Sequence, residues 1–164
     1  MPPDRLAVQM PMALVRSAGS VNMLRISDRV DAATASLRQR LLEPPAEPTR
    51  LQLLHGDVRA ANLLWSGDRV STVLDFEEAR FDHRVDELAW AAVLLGTRYH
   101  DWGPITHQSR HAFLDAYAER SPLTESEQAW LPILLLWCSL ASAAPGDPAG
   151  WAAAALADPR LASP

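Results

Sequence analysis

LQLLHGDVRAANLLWSGDRVSTVLDF, residues Leu51 to Phe76, decides the fold. Leu51 to Leu54 is apolar and runs straight into His55-Gly56-Asp57. Asn62 opens a second apolar run, Leu63-Leu64-Trp65, which Ser66-Gly67-Asp68 closes with the residues of a tight turn. Val70 to Phe76 is rich in β-branched residues and alternates as a strand does. The stretch therefore predicts a loop, a hairpin, and an acid, Asp75, returned by the hairpin toward the loop that carries Asp57 and Asn62. Three oxygen-bearing side chains then face one small volume.

Phosphoryl transfer suits that arrangement. It needs Mg²⁺ on the phosphates and a base near the attacking hydroxyl, and Mg²⁺ takes only one or two protein carboxylates beside phosphate oxygens and water. Asn62 and Asp75 offer hard oxygens, and Asp57 can accept or orient a hydroxyl proton. If Asp57 and Asn62 were merely turn and cap residues, Asp75 would end an apolar strand without a partner, which is costly if it is buried.

His55-Gly56-Asp57-Val58-Arg59-Ala60-Ala61-Asn62, followed by Leu74-Asp75-Phe76-Glu77, resembles the catalytic loop and metal-binding segment of the aminoglycoside phosphotransferase and choline kinase-like family. These enzymes are relatives of protein kinases, which share the spacing from Asp to Asn and place a metal-binding Asp before Phe. Here Asn62 lies five residues after Asp57, and Asp75 thirteen after Asn62. The resemblance implies Asp57 as catalytic base and Asn62 and Asp75 as Mg²⁺ ligands, with ATP as phosphoryl donor and the hydroxyl of a small molecule as acceptor. It implies His55 as a support of the loop. It also implies Asp86, in Val85-Asp86-Glu87-Leu88-Ala89, as the acid on the next helix that braces the loop. Glu77 is read as an acid beside the metal or an outer ligand. The match covers about residues 50 to 95, and a weaker helical pattern extends toward Ala144.

The implied fold is α+β and mostly α: the helical C-terminal lobe of a protein-kinase-like fold, with a small β-hairpin carrying the catalytic loop 55–62 and the metal segment 74–78. Residues 1–27 have no clear period and read as an irregular remnant of a lobe junction, residues 28–164 as the lobe itself. All fifteen basic residues are arginine, and none of the seven glycines falls as G-x-G. Kinases of this lineage use a lysine and a glycine-rich loop in a small N-terminal lobe to hold the ATP phosphates. That lobe is expected to be absent. The expectation is thus a truncated or split phosphotransferase, weak or inactive alone, with the missing lobe on another chain or an uncovered face that drives self-association. A non-catalytic, kinase-derived binding or scaffold module is the competing reading. A metal-dependent hydrolase built from His55, Asp57, Asp75 and His83 is a more distant one.

Composition narrows the rest. At 164 residues, 48% hydrophobic and 21% charged, the chain can build one real core. A net charge of −5 speaks against a general nucleic-acid binder. The lone cysteine, Cys138, lies in an apolar run and reads as a buried, inert thiol. Gln9 and Pro11 interrupt the early apolar residues, so no secretory signal is read and a cytoplasmic protein is expected. Ser27 or Asp28 can cap a helix running to about Leu42, and Glu43 to Pro48 reads as a linker. Glu77 to Arg84 reads as a charged loop, with Glu78 and Asp82 solvated, before a helix from about Asp86 to Thr97. Tyr99 to Ile105 reads as a loop and Thr106 to Arg120 as a helix. Thr124-Glu125-Ser126-Glu127 is a capping box for a helix read as Ala129 to Ala144, with Pro132 near its first turn. Its apolar run is shorter than the roughly 20 residues of a membrane span, so a buried helix is expected. A short alanine-rich helix, Ala149 to Ala157, ends the chain.

Overall fold

The computed structural model describes residues 28–41, 49–144 and 147–162. The expectations for residues 1–27 and for most of the proline-rich linker lie outside them.

The order of elements is α1 (Asp28–Leu41), β1 (Leu51–Leu54), a 3₁₀ turn (Ala60–Asn62), β2 (Leu63–Ser66), β3 (Arg69–Val73), β4 (Arg80–His83), α2 (Arg84–Leu94), α3 (His107–Arg120), α4 (Glu125–Ser142), α5 (Trp151–Leu156) and α6 (Pro159–Ala162). About half the chain is helical and the fold is α+β. The strands form two separate antiparallel pairs, β1 with β4 and β2 with β3.

α4 is the central helix. Thr124 accepts from the Glu127 amide while the Glu127 carboxylate accepts from the Thr124 amide, satisfying two donors at the helix start. The box starts the helix at Glu125, not Ala129, so Pro132 is an interior proline rather than a first-turn one. It leaves the Gln128 carbonyl without its usual helical donor. Val85, Leu88, Ala89, Ala92 and Val93 of α2, at helical spacing, pack into one core with Ile133, Leu134, Leu136 and Trp137 of α4. α1 and α5 lie against α4 as well.

A buried ion pair joins the starts of α2 and α4. Arg84 Nη2 donates to Glu127 Oε2 at 2.6 Å and Nε to Oε1 at 2.7 Å. Its remaining donors reach Ser121 Oγ and the Pro122 carbonyl. Burial pushes the Glu127 carboxyl up, but the hydrogen bonds from Arg84 and the Thr124 amide prevail and hold it at about 2.

The charged loop expected after Phe76 is corrected in part. Arg80 to His83 is a strand, with Leu51 opposite His83 and Leu54 opposite Arg80. Asp82 is buried at 4% exposure, whereas Phe81 is 78% exposed. The β2–β3 hairpin forms as expected around Gly67, whose φ of 62° suits a two-residue turn. β3 ends at Val73, so Leu74, Asp75 and Phe76 leave the ladder before the expected end. Cys138 is fully buried and its thiol is pushed well up by burial, as expected of an inert cysteine. None of the described helices is long and apolar enough to cross a membrane.

Candidate active site

The loop after β1 is fixed by polar contacts. Leu54, at 1% exposure, anchors the end of β1 in the interior. Gly56 then turns with φ +89°, and its amide donates to Glu87 Oε1 of α2 at 2.8 Å. A Cβ at this position would lie 2.4 Å from the Glu78 carbonyl oxygen, so only glycine fits.

His55 ties the loop to the Leu74–Phe76 segment. Its Nε2 lies 2.7 Å from the Leu74 carbonyl, which can only accept, and its Nδ1 lies 3.2 Å from the Asp57 amide, which can only donate. The ring is therefore neutral with its proton on Nε2. The Phe76 ring lies against it, centroids 4.5 Å apart. The 3₁₀ turn is docked from the other side, where the Ala60 amide donates to the Leu95 carbonyl at 3.0 Å. The Leu74 amide donates to the Asn62 carbonyl at 2.9 Å, so the residue before Asp75 is bonded to Asn62 itself.

Asp57, Asn62 and Asp75 are brought together by these links. Asn62 Nδ2 donates to Asp57 Oδ2 at 2.8 Å and to the Asp57 carbonyl at 2.9 Å. With its nitrogen so committed, Asn62 has Oδ1 to offer a cation. Arg59 Nε donates to the same Asp57 Oδ2 at 2.9 Å. Asn62 and Asp75 line one cleft of about 400 Å³ together with Arg59, Ala61, Arg98, Tyr99 and Trp102. Asp75 holds a left-handed φ of 67°. Aspartate tolerates that conformation better than most residues, and such positions cluster at functional sites. Among the described residues its carboxylate has no hydrogen-bond or ion-pair partner.

Beneath the loop, Arg80 collects three acceptors. It reaches Asp82 Oδ2 at 3.2 Å, and Asp86 Oδ2 and the Glu78 carbonyl at 3.4 Å. Its guanidinium lies beside Gly56, where a Cβ would come within 2.8 Å of Nη1. Asp86 is fully buried, and among the described residues its Oδ1 has no hydrogen-bond partner. Burial, and then the neighbouring Asp82 charge, push its carboxyl up to about 6 despite Arg80.

The carboxylate of α2 that the 55–62 loop bonds directly, through the Gly56 amide, is thus Glu87, while Asp86 holds Arg80 against the loop. Glu77 is exposed on the turn closed by the Ala79 amide and the Phe76 carbonyl, and does not line the cleft. The four residues of the hydrolase reading are not assembled. His83 pairs with Leu51 at the opposite end of β1 from His55, about 13 Å away along the strand. It is bonded to Thr49 there. Among the described residues no group of three or more His, Cys, Asp or Glu side chains is placed to hold a metal.

The model of the phosphotransferase enzyme family matches residues 13–130. The chain belongs to that family. The homoserine kinase of Methylobacillus glycogenes is 39% identical to this phosphotransferase-family chain over 88 residues, which are 51% of the chain and 26% of the kinase. The chain thus spans about a quarter of the length of this curated relative. No solved structure matches it significantly.

Sequence reasoning missed several residues that this family member places at or under the site. Glu87 and Arg80 were hidden in a charged run whose partners only the β1–β4 ladder reveals. Arg98 and Trp102 sit in a loop far along the chain, and only the Ala60–Leu95 bond brings that loop to the cleft. Arg59 was legible by position alone, two residues from Asp57 and inside the loop motif.

Proposed function

We propose that this chain carries the phosphoryl-transfer site of an ATP- and Mg²⁺-dependent kinase acting on a hydroxyl of a small molecule, in a fold like the C-terminal lobe of a protein kinase. The observation that carries the proposal is the Asn62 amide. Its nitrogen holds the Asp57 carboxylate, while its oxygen remains for the cleft that Asp75 shares.

Asp57 is the base. The bonds from Asn62 and Arg59 both fall on Oδ2 and orient the carboxylate, so Oδ1 is the oxygen offered to an acceptor hydroxyl. Such assistance contributes about 10²- to 10⁴-fold. Asn62 Oδ1 and the Asp75 carboxylate form a hard-oxygen pair that fits Mg²⁺, which keeps its other positions for phosphate and water. When bound, Mg²⁺ neutralises charge on the transferring phosphoryl group. His55 keeps the Asp57 and Asp75 segments in register.

The absence of lysine from the sequence favours a second reading, a family-derived module that binds without catalysis. Leu64, Trp65, Val70 and Val73 on the β2–β3 hairpin and Phe76 beside it are exposed, an apolar face of the kind that drives association.

Thermal melting in Mg²⁺ tests the metal pair. Millimolar Mg²⁺ is expected to stabilise the wild type by about 1.4 kcal/mol at ten times Kd. Asp75→Asn, which keeps a residue tolerant of left-handed φ, is expected to lose that shift, and Glu78→Gln on the neighbouring exposed turn to keep it. An equal shift in the wild type and Asp75→Asn removes the main support for phosphotransfer.

A further inference from the structure

We propose that the acceptor is a hydroxylated small acid whose carboxylate is held between Arg59 and Arg98. This rests on the phosphotransfer reading and adds the acceptor's chemical class to it.

The cleft is lined by two guanidiniums and one carboxylate, Asp75. Arg59 is already paired with Asp57, so Arg98 is the guanidinium on the cleft that no carboxylate among the described residues meets. An acceptor bearing cationic amines alone would meet both arginines and find no acid to pair with, because Asp75 is taken by the metal. A carboxylate would meet two planar donors suited to it.

The arginines are set on a built wall. The Thr97 hydroxyl donates to the Leu94 carbonyl at 2.7 Å, and Thr97 is fully buried. A Cβ at Gly96 would lie 2.4 Å from Ile105, so the chain passes close to the loop's far end there. Arg98 and Asp101 exchange both backbone hydrogen bonds, at 3.0 and 3.2 Å, closing a tight turn. This turn sets Arg98 and Trp102 on the cleft. The Arg59 guanidinium carbon lies 5.5 Å from the Trp102 ring centroid, a cation–π contact that fixes its plane.

Arg59 is also bonded through Nε to Asp57, so its guanidinium stands beside the position of the attacking hydroxyl. That places the pair at the acceptor end. Arg98 itself is exposed, and its side chain forms no hydrogen bond or ion pair among the described residues, which leaves it available to a ligand.

Calorimetric titration of the chain tests this. The probes are L-homoserine, L-serine and 4-hydroxybutyrate, each against its own carboxamide, with Mg²⁺·ATP titrated separately. At least one acid is expected to bind about tenfold tighter than its amide, the size of one charge-assisted bond. Salt is expected to erode the preference. Arg98→Gln is expected to bring acid and amide within about twofold of each other, and Arg98→Glu to reverse the order, both with Mg²⁺·ATP affinity unchanged. Two results overturn the proposal. One is that no acid is preferred over its amide. The other is that Arg98→Gln weakens Mg²⁺·ATP as much as the acid, which assigns the arginine to nucleotide phosphates. If the acid preference stands while Asp75→Asn leaves Mg²⁺·ATP binding unchanged, the phosphotransfer reading fails and the acid site survives.

Discussion

Asp86→Asn is expected to stabilise the protein at neutral pH while loosening the site. Asp86 is fully buried and its Oδ1 has no partner among the described residues. Burial and the Asp82 charge raise its carboxyl from the ordinary 3.8 to about 6, although Arg80 pulls the other way. A raised acid binds its proton more tightly when folded than when unfolded. Stability therefore falls as pH rises from about 4 to 6, and the full penalty persists above 6. From the two pKa values the penalty is about 2 kcal/mol at pH 5 and about 3 kcal/mol at pH 7. An isosteric amide carries no such penalty and can still accept from Arg80 through its oxygen.

The assay is urea unfolding of wild type and variant at pH 5 and pH 7. Taking the difference between the two proteins cancels every other titrating group that the substitution does not touch. The variant's advantage is expected to grow by about 1 kcal/mol between these pH values. Its loop should loosen, because Arg80 would lie against Gly56 with Asp82 alone as its buried countercharge. Mg²⁺-dependent stabilisation is therefore expected to weaken in the variant. A difference that stays flat from pH 5 to pH 7 refutes the reasoning, and so does a wild type that gains on the variant as pH rises.

Glu127→Gln is expected to cost about 3 kcal/mol in urea unfolding, because it strands the buried Arg84 charge. Since Glu127 is held at about 2, its contribution is present above its ordinary 4.5 and lost as pH falls toward 2. The wild type's advantage over the variant should thus shrink over that window. Gly56→Ala, which must place its methyl 2.4 Å from the Glu78 carbonyl at a left-handed φ, is expected to destabilise by more than about 1 kcal/mol in thermal melting. Cys138 is expected to resist a thiol reagent in the native protein and to react fully in denaturant, followed by absorbance of the released chromophore.

The parts legible in the sequence were those governed by local rules. Thr124 with Glu127 announces a helix start, and Ser66-Gly67-Asp68 a turn, because each motif is satisfied by its own neighbours. β4 was hidden because it inverts the pattern on which strands are recognised. Asp82 faces inward onto Arg80, and Phe81 faces out. No local reading places an aspartate in the interior, since its partnership with Arg80 takes shape only when β1 holds β4. The end of β3 failed for a related reason. Leu74 continues the alternation, but its carbonyl goes to His55 and its amide to Asn62, so the 55–62 loop takes the chain out of the ladder. The placement of Arg98 follows from a backbone bond, Ala60 to Leu95, to which side-chain identity gives no clue.

The lysine-free composition and the geometry of the site have a common logic. Arg80 serves Asp82, Asp86 and the Glu78 carbonyl together, and Arg84 serves both Glu127 oxygens, Ser121 and Pro122. A lysine ammonium is compact and lacks the planar fork that spreads such bonds over several acceptors. These arginines neutralise the carboxylates packed under and around the loop: Asp57 by Arg59, Asp82 and Asp86 by Arg80. Asp75 is the acid on the cleft that receives none. It is also the one held at a left-handed φ, by a segment pinned to His55 on one side and Asn62 on the other. An acid held in place on the cleft with no arginine to meet it is what the proposed site needs, because a hard divalent cation beside Asn62 Oδ1 would supply its counterion from outside.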